Sequence, residues 1–440
     1  MHPNRFIVTT CLAVVSAAPA AAQTAPVPPQ AAAAAAPAAE DPIRTLVGRL
    51  DLEKYKATIQ ALTQFGDRRQ GTERNRKAID WIEAQLKSYG CTNTERITYT
   101  YPSPEAADPA AAGRGRSAGP APGGGAGAQA GRGGQSRGSA PDEPGPRRGR
   151  EGGSTQFGTR GPTGVYRPDA EGAAPLDPRL QALNAEPTTP GERQEVYCTK
   201  IGTTKPGEMY IVGGHMDGHG WGEAANDDGS GTAVVMELAR VFGAPDVQTE
   251  RSIRFILWNN EETGLNGAWA YVNQRKNRQG REEPAGSGRF PEPRWLGMIQ
   301  HDMMMWDHGM PGPDGKVSAR QRPEADVNIE FQSSAQMADG AQKLAWILKA
   351  ANDKYATDYP ATVGPHMTNT DSTPFMNLIP AISLRENERG THIGAGWDPN
   401  WHQPSDVFTT YTDQDFKLGL AAAQTTLAAV AQLTGATLKK

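Results

Sequence analysis

"MYIVGGHMDGHGWGEAANDDGSGTAVVMELARVF", residues 209–242, reads as an apolar strand, a glycine-rich polar loop and an amphipathic helix in one run. The strand "MYIVGGH" is apolar at successive positions, the pattern of a strand whose sheet is covered by helices on both faces. The helix "GTAVVMELARVF" supplies such a cover. Between them, residues 213–231 hold two histidines and four acidic residues in a stretch loosened by glycine.

Outward from this unit the alternation continues. "SIRFILWN", "LGMIQHD" and "PAISLRE" read as further strands, and "GLNGAWAYVNQRK", "AQKLAWILKAANDKY" and "FKLGLAAAQTTLAAVAQLTG" as helices. Upstream, "TERNRKAIDWIEAQLKSYG" places Ala78, Ile79, Ile82 and Leu86 at helical spacing and stops at Gly90. "TNTERITYTY" and "RQEVYCTKIG" read as two more strands. The pattern predicts an α/β fold, a three-layer α/β/α sandwich around a mostly parallel mixed sheet.

In such a sheet, chemistry belongs to the loops at the carboxyl ends of the strands. His215 follows "MYIVGG", Glu261 and Glu262 follow "RFILWNN", Asp302 follows "LGMIQH", and His402 lies in the loop after "PAISL". Imidazoles and carboxylates without a thiolate suit zinc or a similar divalent metal with hydrolytic work. His215 and Asp217, two apart on extended chain, are expected to point the same way. Asp227 adjoins "GSG" at a helix start, where backbone donors favour a carboxylate. His215 and His219 mimic an H-x3-H zinc pair, but the glycines between 213 and 222 exclude the helix that pair requires. Consecutive Glu261 and Glu262 face different directions, so one can bind metal while the other handles protons.

The formal net charge of −4 argues against a surface built for nucleic acid or anionic membrane. Residues 1–22 read as a signal peptide, with Arg5, an apolar run from Phe6 and cleavage after Ala22, which implies export to the periplasm or outside the cell. No later stretch approaches the roughly 20 apolar residues of a spanning helix. Residues 23–44 form an Ala/Pro-rich linker, residues 45–440 one domain, and a Gly/Pro/Arg-rich insertion at about 103–163 has the composition of disordered chain.

The motifs "GGHMDG", "NDDGSG", "NNEETGLNGA", "HDM" and "WHQPSD", in this order, resemble those of the M28 family of dinuclear zinc exopeptidases, which includes bacterial aminopeptidases and carboxypeptidase Q. The resemblance spans roughly residues 45–435 outside the insertion and implies a zinc-exopeptidase fold acting on peptide substrates. It implies two zinc ions per chain, held by His215, Asp227, Glu262, Asp302 and His402, with Asp227 bridging. Glu261 would be the general base and Asp217 the carboxylate orienting His215. Trp401 stands where some relatives carry Tyr, and Ser372 where several carry His. Asp371 is read as a pocket or support residue, and His219, His301, His308, His366 and His392 as loop or supporting residues. Met303, Met304 and Met305 read as packing. Aminopeptidase activity is the expected reaction. The alternatives are carboxypeptidase or dipeptidase activity, glutaminyl cyclisation on the same fold, and a non-enzymatic binding protein acting through the insertion.

Cys91 opens one strand and Cys198 lies late in the next. Antiparallel pairing across the insertion would make them neighbours, and an exported chain would permit a disulfide.

Overall fold

The computed structural model describes residues 41–91, 93–101, 166–168, 173, 175–308, 327–356, 358–365, 370–386 and 398–439. The signal peptide, most of the linker, the insertion, His366 and His392 lie outside the described residues. In chain order the elements are α1 (Pro42–Val47), α2 (Leu52–Thr63), α3 (Glu73–Ser88), β1 (Glu95–Tyr101), α4 (Pro178–Asn184), β2 (Gly191–Lys200), β3 (Lys205–His215), α5 (Gly229–Gly243) and β4 (Val247–Gln248). Then follow β5 (Arg251–Trp258), α6 (Asn266–Arg275), β6 (Arg294–His301), β7 (Val327–Glu330), α7 (Ala338–Tyr355), β8 (Ala361–Gly364), β9 (Ala381–Arg385), α8 (Asp413–Thr434) and β10 (Thr437–Leu438).

Eight strands form one sheet in the order β1-β2-β5-β3-β6-β9-β7-β8. The four central strands β5, β3, β6 and β9 run parallel, while β1 and β2 on one side and β7 on the other pair antiparallel. The expected mixed, mainly parallel sheet is therefore present. Its central strands are buried on both faces, which is why they read as continuous apolar runs. Val212, Phe255, Leu257, Ile299 and Leu384 face the larger core with α2, α3, α5, α7 and α8. Ile211, Ile256, Trp258 and Met298 face a smaller core closed by α6 and the turn at Phe375.

The linker expectation needs correction at its end. Asp41 and Pro42 already start α1: the Asp41 Oδ1 accepts the Ile43 amide at 3.1 Å, and its Oδ2 accepts the Tyr355 hydroxyl at 2.9 Å. A proline at the first helical turn costs no hydrogen bond, so its Pro-rich look concealed a helix start. Helix α2 also escaped the periodic reading, although Asp51 caps it and Tyr55, Ile59 and Leu62 bury one stripe. Strands β7 and β8, four residues each, are too short to show a period.

Strands β1 and β2 pair antiparallel, with Glu95 opposite Tyr197 and Tyr101 opposite Gly191. This brings Cys91 to Cys198 in a disulfide, Cα atoms 5.9 Å apart, as expected. The bridge spans a sequence separation of 107 and so restricts the unfolded chain strongly. Replacing both cysteines by serine is expected to lower stability by about 2–4 kcal/mol in urea unfolding; an unchanged midpoint would mean that the register alone holds this edge. Strand β1 ends at Tyr101, and the next described residue is Tyr166, whose amide donates to the His402 carbonyl at 3.1 Å. Replacing residues 104–162 with a short linker is expected to leave the thermal midpoint near its original value, because closure entropy changes by only about 0.6 kcal/mol per doubling of loop length. A cooperative loss of structure on that deletion would contradict this.

Candidate metal centre

The five residues singled out after strands meet at the carboxyl ends of the central strands, with Asp217 and Asp227 from the loop between β3 and α5. His215 is the last residue of β3, Asp302 directly follows β6, Glu261 and Glu262 lie just past β5, and His402 lies in the loop after β9. Asp227 comes from the loop that leads into α5. Its carboxylate stands between two imidazoles: Oδ1 is 3.3 Å from His215 Nε2, and Oδ2 is 3.0 Å from His402 Nε2. Asp302 Oδ1 lies 3.9 Å from His215 Nε2, and Glu262 Oε2 lies 3.0 Å from His402 Nε2. Two donor groups thus share one carboxylate. Glu261 sits with His215 and Asp302, on the first side.

Close backbone approach makes this possible. A Cβ on Gly214 would come within 2.8 Å of the Gly231 carbonyl carbon, so only glycine lets the end of β3 lie against the first turn of α5. Here the expectation for Asp227 needs correction, because the carboxylate that caps α5 is Asp228. Its Oδ1 accepts the Gly231 amide at 2.8 Å, and its Oδ2 accepts the His215 amide at 3.0 Å. Asp227 is left free to face the imidazoles, its own amide held by Asp406 Oδ2 at 3.2 Å. Asp406 Oδ1 also accepts the Asn226 amide at 2.8 Å, which gives the last residue of "WHQPSD" a role that spacing alone did not reveal.

Asp217 acts differently from the expectation as well. His215 Nδ1 is 2.9 Å from the Asp217 main-chain oxygen but 3.9 Å from its carboxylate. The carbonyl therefore accepts a hydrogen bond from Nδ1–H, which turns Nε2 toward the centre. The Asp217 carboxylate accepts the Glu261 amide at 3.0 Å and so positions that residue. Behind the loop, the buried Arg68 guanidinium donates to the carbonyls of Met216, Glu223 and Ala224 at 2.6–2.8 Å. Arg385 donates to Asp302 Oδ2 at 2.7 Å.

Electrostatics follow from burying so many acids together. Burial alone would raise Asp227, yet hydrogen bonds from His215 and His402 hold it well below the usual carboxylate range. Burial would lower His402, yet Glu262 and Asp227 push it up to about 10. Glu261 is raised well above its ordinary value, by burial and then by the carboxylates of Asp371, Glu262 and Asp302. The centre thus draws positive charge to itself, in this structure onto the imidazoles. Glu262 Oε1 is shielded from solvent and accepts no hydrogen bond. Oxygen and nitrogen donors, with an orphaned carboxylate oxygen among them, fit a divalent cation such as zinc.

The other candidates divide. Asp371 is fully buried; Gln300 Nε2 lies 3.3 Å from its Oδ2, while its Oδ1 has no partner, which suits a supporting residue. Trp401 stacks on the His402 ring, centroids 4.0 Å apart. Met303, Met304 and Met305 are buried packing residues. His301, on β6, is 2.8 Å from the Thr426 hydroxyl and pushed down to about 4 by burial, and His308 is paired with Asp415 at 3.1 Å; neither joins the centre. His219, expected as a loop or supporting residue, lies against it: Nε2 is 3.2 Å from Glu262 Oε2 and 3.3 Å from His402 Nδ1. Its dismissal as half of a helical pair was sound, but the loop returns it to the site. Outside the centre a cleft of about 520 Å³ opens, its walls including Asp217, His219, Glu262, Arg69, Trp221 and Glu186.

The aminopeptidase YwaD of Bacillus subtilis (strain 168) is 40% identical over 78 residues, 17% of this chain and 17% of YwaD. The first curated relatives are thus matched over only 16–17% of their own length. Among solved structures, BSAP, a zinc aminopeptidase from Bacillus subtilis, superposes with a TM-score of 0.54 at 17% identity, covering 88% of this chain and 96% of that one. The glutaminyl cyclase of Porphyromonas gingivalis superposes with a TM-score of 0.50 at 14% identity, covering 88% and 99%. At such identities these two likenesses are of fold. The model of peptidase family M28 matches residues 197–424, just over half of the 440 residues, and that stretch carries every residue of the centre: the chain belongs to peptidase family M28.

Proposed function

We propose that the protein is an exported dinuclear zinc exopeptidase, an aminopeptidase in its main activity, with Glu261 as the general base. The observation that carries this reading is the Asp227 carboxylate, one oxygen toward His215 and the other toward His402. His215, Asp302 and Asp227 Oδ1 would hold one ion, and His402, Glu262 and Asp227 Oδ2 the other. Zinc bound there supplies acidified water and an electrophile for the scissile carbonyl. Glu261, fixed through its amide by Asp217, takes the proton from the attacking water and returns it to the leaving amine. Arg385 keeps Asp302 ionised and oriented. The cleft wall carries the carboxylates of Asp217 and Glu186 against the guanidinium of Arg69, a balance that favours the free α-ammonium of a peptide over a terminal carboxylate. The disulfide supports an oxidising compartment, hence export.

Cyclisation shares the fold, but a centre with both glutamates and His215 in place supports hydrolysis. Zinc analysis combined with a panel of di- and tripeptides, blocked at either end, decides the matter. Cleavage of C-blocked but not N-blocked peptides is expected; the reverse preference would make the protein a carboxypeptidase, and ring closure of N-terminal glutamine without hydrolysis would make it a cyclase. Glu261→Gln is expected to keep both metals and to lose about 10²–10⁴ in turnover, and near-normal turnover would remove Glu261 from its role. Asp227→Asn is expected to lose metal as well as activity. Two fully bound zinc ions and an ordinary rate in that variant would refute the bridge.

A further inference from the structure

The cleft wall carries two groups whose donors the mechanism above does not use, Arg69 and Gln70. The Arg69 guanidinium is held from two directions: Nη2 lies 2.8 Å from Asp67 Oδ2, and Cζ lies 5.1 Å from the centre of the Trp221 ring. Trp221 sits at a left-handed φ of 69° between Gly220 and Gly222, a conformation unfavourable to a bulky side chain and kept only where the surroundings impose it. Among the described residues Arg69 hydrogen-bonds to Asp67 alone, by its amide and by Nη2, so Nε and Nη1 are open donors on the cleft. Asp67 does not saturate this guanidinium, because Arg74 shares it. Gln70 shows the same asymmetry. Arg193 has only donors, and its Nε lies 2.6 Å from Gln70 Oε1, which assigns the amide oxygen and leaves Nε2 without a partner among the described residues. The nearby acceptors, by contrast, are taken. Glu186 Oε1 accepts the Glu73 amide and Oε2 the Arg74 amide at 3.3 Å, and Asn184 Oδ1 accepts the Asp67 amide at 3.4 Å. Open donors among occupied acceptors call for a group that only accepts, and a carboxylate matches a guanidinium in both charge and shape.

We propose that Arg69, with Gln70 beside it, is a specificity-determining residue that binds a carboxylate of the peptide substrate. This rests on the exopeptidase reading and adds a substrate class to it. In a peptide the carboxylate has two sources, the side chain of an acidic residue next to the scissile bond and the C-terminus of a short peptide. The α-ammonium pairs with the carboxylates of the same wall, so one peptide satisfies both signs of charge. Asp67 and Trp221 hold the guanidinium before the substrate arrives, and a fork already in place loses little freedom on binding.

Substrate pairs that differ only in the carboxylate test this on the zinc-loaded full chain. Tripeptide amides with aspartate or asparagine at the first or second position read the side chain, and trialanine against its amide reads the terminus. In each pair kcat/KM is compared as a ratio, which a general loss of folding or of metal leaves unmoved. At least one pair is expected to favour the carboxylate by about 10–100-fold in the wild type, and the pair that does so identifies the source. That ratio is expected to fall toward one in Arg69→Met, which keeps the stem against Trp221 but no donors, and in Gln70→Glu, which keeps the acceptor for Arg193 but turns an oxygen to the cleft. Arg69→Lys, a charge without the fork, is expected to fall between. Calorimetric affinity for L-aspartate against L-asparagine should follow the same order. Ratios near one for every pair in the wild type, or a wild-type ratio in Arg69→Met, would overturn the proposal. A zinc-loaded protein that cleaves no peptide overturns the exopeptidase reading instead; aspartate then still binding better than asparagine, and losing that advantage in Arg69→Met, upholds the carboxylate site, and equal binding of the two overturns it.

Discussion

One carboxylate between two imidazoles governs the molecule. Asp227 can reach both His215 and His402 only if the end of β3, the start of α5 and the loop after β9 are all held within hydrogen-bonding distance of one another. Asp228 ties the first two together, Asp406 ties the third to the backbone of Asn226 and Asp227, and Arg68 fixes the intervening loop by its carbonyls. The cost is a buried crowd of acids. Asp227, Asp302, Glu261 and Asp371 have little solvent to share, and imidazole protons alone compensate them weakly. Divalent cations at this place would therefore stabilise the fold as well as equip it, since any ion that binds only the native arrangement shifts the unfolding equilibrium.

The parallel strands account for why these groups meet. Adjacent strands lie about 4.8 Å apart, and β5, β3, β6 and β9 are neighbours in that order, so side chains leaving their carboxyl ends are close before any loop is considered. The antiparallel additions on either side widen the sheet without adding a ligand. Their contribution is to the cleft and the edges, where β1, β2 and the disulfide hold the chain next to Gln70 and Arg193.

Much of this was legible in the sequence because it depends on local order. A run of apolar residues followed by His215, or by Glu261 and Glu262, already states that the polar residue sits at the end of a strand. The cysteine pair followed from strand direction alone. What escaped depends on contacts across the chain. Asp227 and Asp228 are adjacent, and only the packing of α5 against β3 decides which one caps the helix. Asp217 could serve His215 by carbonyl or carboxylate, and the turn after β3 chose the carbonyl. Asp406 and His219 each act on a residue far away in sequence; 183 positions separate His219 from His402. The short β7 and β8, and α1 behind its proline, lacked enough length or apolar rhythm to register.

Neither half of the centre is contained in a local stretch of chain: His215 and Asp227 are near in sequence, but Asp302 must arrive from β6, and His402 and Glu262 from opposite sides of it. An unfinished or unfolded chain therefore offers ions only scattered, weak donors. A metal would therefore be selected late, by a donor set that the fold has already assembled, and fidelity in loading would follow from topology.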